Sequence, residues 1–150
     1  MHSVLVKSLS SCDASSLDAH HNFLLAARDL YAANVTWCAP CRGVQHVGRE
    51  EVIRHLLREA SGMHDPEFTV LRRNAGERQI IDEYAVRFVY AGDGIENAPV
   101  DQGDFVELKR VRILELAAGR VVKETCIENW TVLLPKEGAG LGARGLGQND

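Results

Sequence analysis

The residues of this sequence that could do chemistry fall into two groups. The first is the run Trp37-Cys38-Ala39-Pro40-Cys41-Arg42, with two residues between its thiols. Such a pair performs thiol–disulfide exchange when the first cysteine opens a helix, where backbone N–H groups stabilise the thiolate, and it also supplies half of a tetrahedral zinc site. The second group is charge on alternate positions of otherwise apolar stretches: Arg110 and Arg112, then Glu124 and Glu128, with Tyr84 upstream. Charges on an apolar face are costly to bury unless paired. They are also the groups that orient a polar substrate and move its proton. His20 and His21 are adjacent, so on a helix they point about 100° apart and only one can face a pocket.

These residues need elements to position them. Phe23, Leu24, Ala27, Leu30 and Tyr31 recur at three- and four-residue spacing, which predicts a helix in the front third. A short strand follows at Val35-Thr36-Trp37-Cys38, closed by Pro40 and Gly43. From Arg49 to Ala60 the apolar stripe Val52, Ile53, Leu56, Leu57 and Ala60 predicts a second helix with acids in its first turn, ended by Ser61-Gly62. His64-Asp65-Pro66 reads as a connection. The period then changes to two, giving strands over 67–73, 79–91, 104–116 and 121–133; a tight turn at Gly119 joins the last two, and 92–103 is a longer loop. Helices followed by antiparallel strands indicate an α+β fold.

On those strands the even positions mix charge with bulk. Val86, Phe88, Leu108, Cys126 and Trp130 share a face with Tyr84, Arg110, Arg112, Glu124 and Glu128, and together with Trp37 they read as the lining of one small-molecule pocket. The plainer reading is a buried ion-pair lattice across a hairpin. The odd set Val111, Ile113, Ile127 and Val121 is apolar enough to predict a sheet-face contact in a homodimer. For the cysteines, Gly43 and Gly48 interrupt what should be a helix, and no second close ligand pair exists, although His46 and Cys126 are available. A redox pair, a metal pair and two inert thiols all stay open.

Composition bounds the rest. With 150 residues, 45% hydrophobic and 25% charged, one core is expected to hold the chain without disulfides or metal. A net charge of −4 argues against nucleic acid as a partner. No run approaches the roughly 20 apolar residues of a membrane span, so no membrane partner and a cytoplasmic location are expected. Four cysteines, Cys12, Cys38, Cys41 and Cys126, fit that setting as free thiols. Residues 136–150, with Gly138, Gly140, Gly142, Gly145 and Gly147, read as a flexible tail behind a single domain over 1–135.

The order of short helices, Leu30-Tyr31-Ala-Ala-Asn34-Val-Thr-Trp37, a helix opening on Gly48-Arg49-Glu50-Glu51-Val52-Ile53, and long strands ending in Gly119-Arg120-Val121-Val122-Lys123-Glu124 resembles the NTF2-like superfamily, closest to its SnoaL-like (polyketide cyclase-like) branch. Ala118 replaces the usual aspartate of the last turn, and Asn34 replaces a common aspartate. The resemblance implies a cone, a curved antiparallel sheet wrapped around N-terminal helices and open at one end. Its enzymes include polyketide cyclases, ketosteroid isomerase, scytalone dehydratase and limonene epoxide hydrolase, while other members only bind ligands or partners. Against the epoxide hydrolase pattern Cys126 falls on a pocket aspartate, Tyr84 on an arginine and Trp37 on a tyrosine, so that mechanism does not transfer. What the resemblance implies is a cofactor-free isomerase, cyclase, dehydratase or hydrolase using general acid/base chemistry on an apolar, oxygenated substrate. Tyr84 would donate to a developing oxyanion, Glu128 or Glu124 would carry the proton, and Arg110 or Arg112 would set its pKa. The alternatives are a non-catalytic ligand-binding or dimerising domain, and a redox or metal role for Cys38 and Cys41.

Overall fold

The first helix, α1, spans Leu17–Leu30 and leads directly into strand β1, Tyr31–Ala39. The structure, a computed structural model, describes residues 17–136, with side chains from Leu24 onward. Cys12, the His20 and His21 side chains and the glycine-rich segment lie outside the described residues, as do the expectations placed on them. Strand β1 begins earlier than its β-branched centre predicts. Tyr31 leaves the helix because it joins the ladder opposite Val121, and tertiary pairing overrides the local helical spacing.

A three-residue 3-10 turn at Pro40–Arg42 and Gly43, at φ +67°, turn the chain into β2, Val44–Val47, a four-residue strand between Gly43 and Gly48. It pairs antiparallel with β1. Helix α2 runs Arg49–Ser61, with Glu50 and Glu51 in its first turn. Three long strands follow, β3 at Met63–Ala75, β4 at Gln79–Tyr90 and β5 at Phe105–Ala117, and β6 at Arg120–Leu134 completes the sheet. The sheet order is β2-β1-β6-β5-β4-β3, antiparallel throughout except for the β1–β6 pair, which is parallel. That pair departs from the purely antiparallel sheet expected.

Irregularities bend this sheet. His64-Asp65-Pro66 is not a connection but a bulge within β3, where Asp65 takes φ +51° and the register on β4 shifts between His64 and Glu67. Bulges increase local twist and bend, which is how a long sheet curves around two helices. A second shift, between Glu115 and Leu116, sets Leu116 opposite Val121. Val121 therefore turns inward and is fully buried, which removes it from the outward apolar set. Of that set Ile127 is exposed, and Val111 and Ile113 are half-buried.

Elsewhere the even positions of β4, of β5 and of β6 from Glu124 to Trp130 face inward as their alternation predicts, while Val132 and Leu134 at the end of β6 are exposed. The core forms two clusters, one around Tyr31 and Trp37 that joins α1, α2, β1 and β6 with Val44, Ile80 and Leu114, and one mainly of β4 and β5 around Tyr84, Phe88 and Leu108. Among the described residues no helix is long and apolar enough to cross a membrane.

Candidate functional site

The charged residues of the inner face do not stand alone; each is locked to an opposite charge from another element. Glu128 on β6 is the hub of the first constellation. Arg42, from the turn after β1, donates to it through Nε (2.7 Å) and Nη2 (3.1 Å), Arg110 of β5 through Nε (2.9 Å), and Trp130 through Nε1 (3.0 Å). Arg110 Nη2 stands 2.6 Å from the same carboxylate, off the hydrogen-bonding line. Glu59 of α2 closes the ring, 2.9 Å from Arg42 and 3.3 Å from Arg110. All four of these charged side chains are at most 4% exposed. Two cations and two anions balance, which makes burial of all four tolerable.

Burial pushes the Glu128 carboxyl up, but the Arg110 and Arg42 guanidiniums outweigh it and hold the group below the usual carboxylate range. Glu59 is governed the same way: burial raises it, while Arg110, His55 and Arg42 bring it far below that range. Both are carboxylates committed to their ion pairs, and neither is a strong proton acceptor.

Glu124 anchors a second constellation one step along β6. Tyr31 donates its hydroxyl at 2.6 Å, Trp37 its Nε1 at 3.2 Å and Arg112 its Nε at 2.8 Å, with the Cys126 thiol at 3.7 Å. Every one of these residues is buried. Burial raises the Tyr31 hydroxyl well above its ordinary pKa, and the neighbouring Glu124 adds to that, so Tyr31 is a fixed donor.

A cleft opens beside the first constellation. Leu56, Glu59, Tyr84 and Arg110 are its buried floor, and Ala60, Met63, Pro66 and Phe68 its half-buried rim. As it stands it encloses about 20 Å³, room for a water molecule or little more. The Tyr84 hydroxyl accepts from Arg110 Nη1 at 3.0 Å, so its own hydrogen remains to be donated. Burial raises the Tyr84 pKa against the opposing effect of Arg110, which keeps the hydrogen in place.

Of the residues expected to line one cavity, only Tyr84 and Arg110 reach this cleft. Glu128, Trp130, Glu124, Arg112 and Cys126 are held in the two constellations, and Trp37 lies across from His55 at 4.1 Å between ring centroids. Val86, Phe88 and Leu108 pack in the β4–β5 cluster, with Trp130 edge-on to Phe88 at 6.0 Å. Among the described residues the inward faces of the curved strands converge here and these long side chains interdigitate.

Sequence reasoning missed Glu59, Arg42, His55 and Tyr31. Glu59 carried a signal: three residues after Leu56 and seven after Val52, it sits on the apolar face of α2. Arg42 carried none beyond its place after Pro40-Cys41. Cys38, Cys41 and Cys126 are free; Cys38 Sγ donates to Thr125 Oγ1 and Cys41 Sγ to the Glu128 carbonyl, each at 3.8 Å. Cys38 lies within β1, so no helix opens there to activate it. Among the described residues Cys38, Cys41, His46 and Cys126 do not gather as a ligand set.

No protein-family model matches the sequence, and no curated protein matches it significantly. Solved structures do resemble its fold. A ketosteroid isomerase candidate from Kribbella flavida is 19% identical with a TM-score of 0.59, over 91% of this chain and 80% of that one. A SnoaL-like polyketide cyclase candidate from Jannaschia sp. CCS1 is 14% identical with a TM-score of 0.62, over 85% and 86%. A protein with a ketosteroid isomerase-like fold from Catenulispora acidiphila, in complex with trimethylamine, is 13% identical with a TM-score of 0.55, over 81% and 82%. The protein has the NTF2-like fold, the α+β cone that it shares with these SnoaL-like and ketosteroid isomerase-like structures.

Proposed function

We propose that the protein binds a small, mostly apolar molecule carrying an acceptor oxygen, in the cleft between α2 and strands β3 to β5. The observation that carries this reading is the Tyr84–Arg110 couple at the floor of that cleft. Arg110 donates to the tyrosine oxygen, which polarises the O–H and leaves its hydrogen available to a guest, while Leu56, Ala60, Met63, Pro66 and Phe68 offer apolar walls. Binding requires the half-buried Met63 and Phe68 to swing outward, and Met is a side chain that repacks at little cost. The trimethylamine complex of the Catenulispora protein supports the reading that this fold admits small guests.

Catalysis is the second reading, favoured by the same donor. A hydrogen bond from Tyr84 stabilises an oxyanion as charge develops. The proton would then pass through Glu59, the carboxylate at the cleft, and not through Glu128 or Glu124, which are enclosed by their partners. With no cofactor invoked, this is a slow proton transfer at most, because Glu59 is held ionised by two guanidiniums.

Cyclohexanone separates the readings. Titrated into ¹⁵N-labelled protein, it should shift the amides of Leu56, Ala60, Phe68 and Tyr84, and Tyr84→Phe should weaken that response about tenfold, the equivalent of one lost hydrogen bond of about 1.4 kcal/mol. Shifts scattered over the surface, or unchanged by Tyr84→Phe, refute the binding site. Protein-dependent exchange of its α-hydrogens in D₂O, abolished by Glu59→Gln, supports catalysis, and exchange at the buffer rate rejects it.

A further inference from the structure

His46, on β2 at the edge of the sheet, stands between two carboxylates. Its Nδ1 lies 3.2 Å from Glu51 Oε1 on α2, and its Nε2 lies 3.1 Å from Glu96 Oε1 in the loop before β5. A neutral imidazole has one N–H and one lone pair, so it can donate to only one of them. At the other contact a lone pair faces an anion unless the ring takes up a second proton or a cation comes between. His55, on α2 and buried, lies against His46 with ring centroids 4.3 Å apart. Its Nε2 makes no aligned hydrogen bond, the nearest acidic oxygen being Glu59 Oε2 at 3.3 Å.

We propose that His46, His55 and Glu96 form a binding site for a divalent first-row transition-metal ion of the zinc type. One donor atom from each lies within 4.8 Å of the others. Donors around a tetrahedral ion with bonds of about 2.0–2.1 Å stand about 3.3 Å apart, so the His46–Glu96 edge already has the required length. Glu96 is 51% exposed and can reorient toward His55. Two imidazoles and a carboxylate suit zinc, cobalt, nickel or iron, whereas magnesium and calcium prefer all-oxygen shells. Three protein donors leave a coordination position for water.

Glu51 completes the pattern from behind. Its Oε1 lies 3.2 Å from Nδ1, where on ion binding it would accept Nδ1–H and present the Nε2 lone pair to the ion, the usual role of a carboxylate behind a metal-binding histidine. Arg54 and Arg58 hold Glu51 in turn, at 2.8 and 3.4 Å. The loop is brought to the site without any metal: Arg42 Nη1 donates to the Glu96 carbonyl at 2.5 Å, and Asn97 Nδ2 to the Arg42 carbonyl at 2.9 Å. An ion would therefore tie β2, α2 and this loop together beside the Arg42–Glu59 pair.

The test uses the full chain without an affinity tag, stripped with EDTA and titrated with Zn²⁺ by calorimetry and with Co²⁺ by absorption. One ion per chain is expected, with affinity lowered at least tenfold in Glu96→Gln and in His46→Gln, lowered about 10–100-fold in Glu51→Gln, and kept in Cys38→Ser/Cys41→Ser. The cobalt complex should show d–d bands without thiolate charge transfer. Glu96 is exposed, so circular dichroism of Glu96→Gln should match the unaltered protein and separate lost binding from lost folding. The proposal is overturned by no saturable binding at one per chain, by binding unchanged in both Glu96→Gln and His46→Gln, or by binding that disappears with the cysteines.

Discussion

Replacing Glu128 by glutamine removes one charge from the centre of the buried ring and leaves its shape unchanged. Arg42 and Arg110 then share a single carboxylate, Glu59, and the five contacts that converge on Glu128, at 2.6 to 3.1 Å, become amide contacts of which half the atoms are donors facing donors. Removing one partner of a buried pair costs about 3–5 kcal/mol, because an uncompensated charge stays behind in a region with little water. For a domain of this length that corresponds to roughly 6–20 °C in Tm. Urea unfolding at neutral pH, followed by tryptophan fluorescence, should show the midpoint falling with the m-value unchanged. The double variant Arg42→Gln/Glu128→Gln should lose less than the sum of the two single losses, by about 0.5–3 kcal/mol. The pH dependence has a defined sign. The folded-state pKa of Glu128 is depressed, so its contribution is fully present above the unfolded carboxyl value of about 4.3 and lost as pH falls through the lower folded value. The acid limb of the stability curve should therefore be shallower in Glu128→Gln, by one proton's slope. It should not be flat, since Glu59 is held low by the same guanidiniums. A loss under about 1 kcal/mol, additive with Arg42→Gln, would falsify the buried ring, because exposed ion pairs behave that way.

Glu124→Gln should likewise cost about 3–5 kcal/mol, since it strips the carboxylate from Arg112 in a fully buried setting; a change under about 1 kcal/mol in urea would contradict the assignment. Ala118 occupies the turn between β5 and β6 at φ +52°, a conformation that costs a residue with a β-carbon about 1–2 kcal/mol and asparagine less, so Ala118→Asn should raise Tm, and a lower Tm refutes the strain. Gly94→Ala should destabilise by more than about 1 kcal/mol, because φ is +93° there and an added Cβ meets the Arg58 carbonyl; hydrogen exchange should quicken first in residues 92–103, and unchanged exchange there would disprove the tight packing of that loop on α2. Thiol labelling read out by peptide mapping should find Cys41 fast and Cys126 silent until the protein unfolds, since burial pushes the Cys126 thiol well up; fast labelling of Cys126 itself would mean β6 is not packed as described.

The amino-acid sequence by itself determined the repeating part of this protein. The two-residue period of 79–90 and 105–116 places Tyr84, Phe88, Leu108 and Arg110 on one face whatever lies opposite, and the stripe from Val52 to Ala60 makes a helix wherever it docks, because both patterns depend only on local geometry. The alternation of charge with bulk also announced that something buried and polar sits inside. Only the tertiary structure decided what that something is. Arg42 is 86 residues from Glu128 and 17 from Glu59, and nothing local says that a turn after a proline delivers a guanidinium between a strand and a helix. The same holds for Tyr31, whose 3–4 spacing fits a helix and whose hydroxyl ends on Glu124 through the one parallel pairing in the sheet. Bulges settled the rest. A shift of one residue at Glu115–Leu116 reverses the side that Val121 faces, and such shifts are fixed by the fit of long side chains across the curved interior, a property of the packed whole.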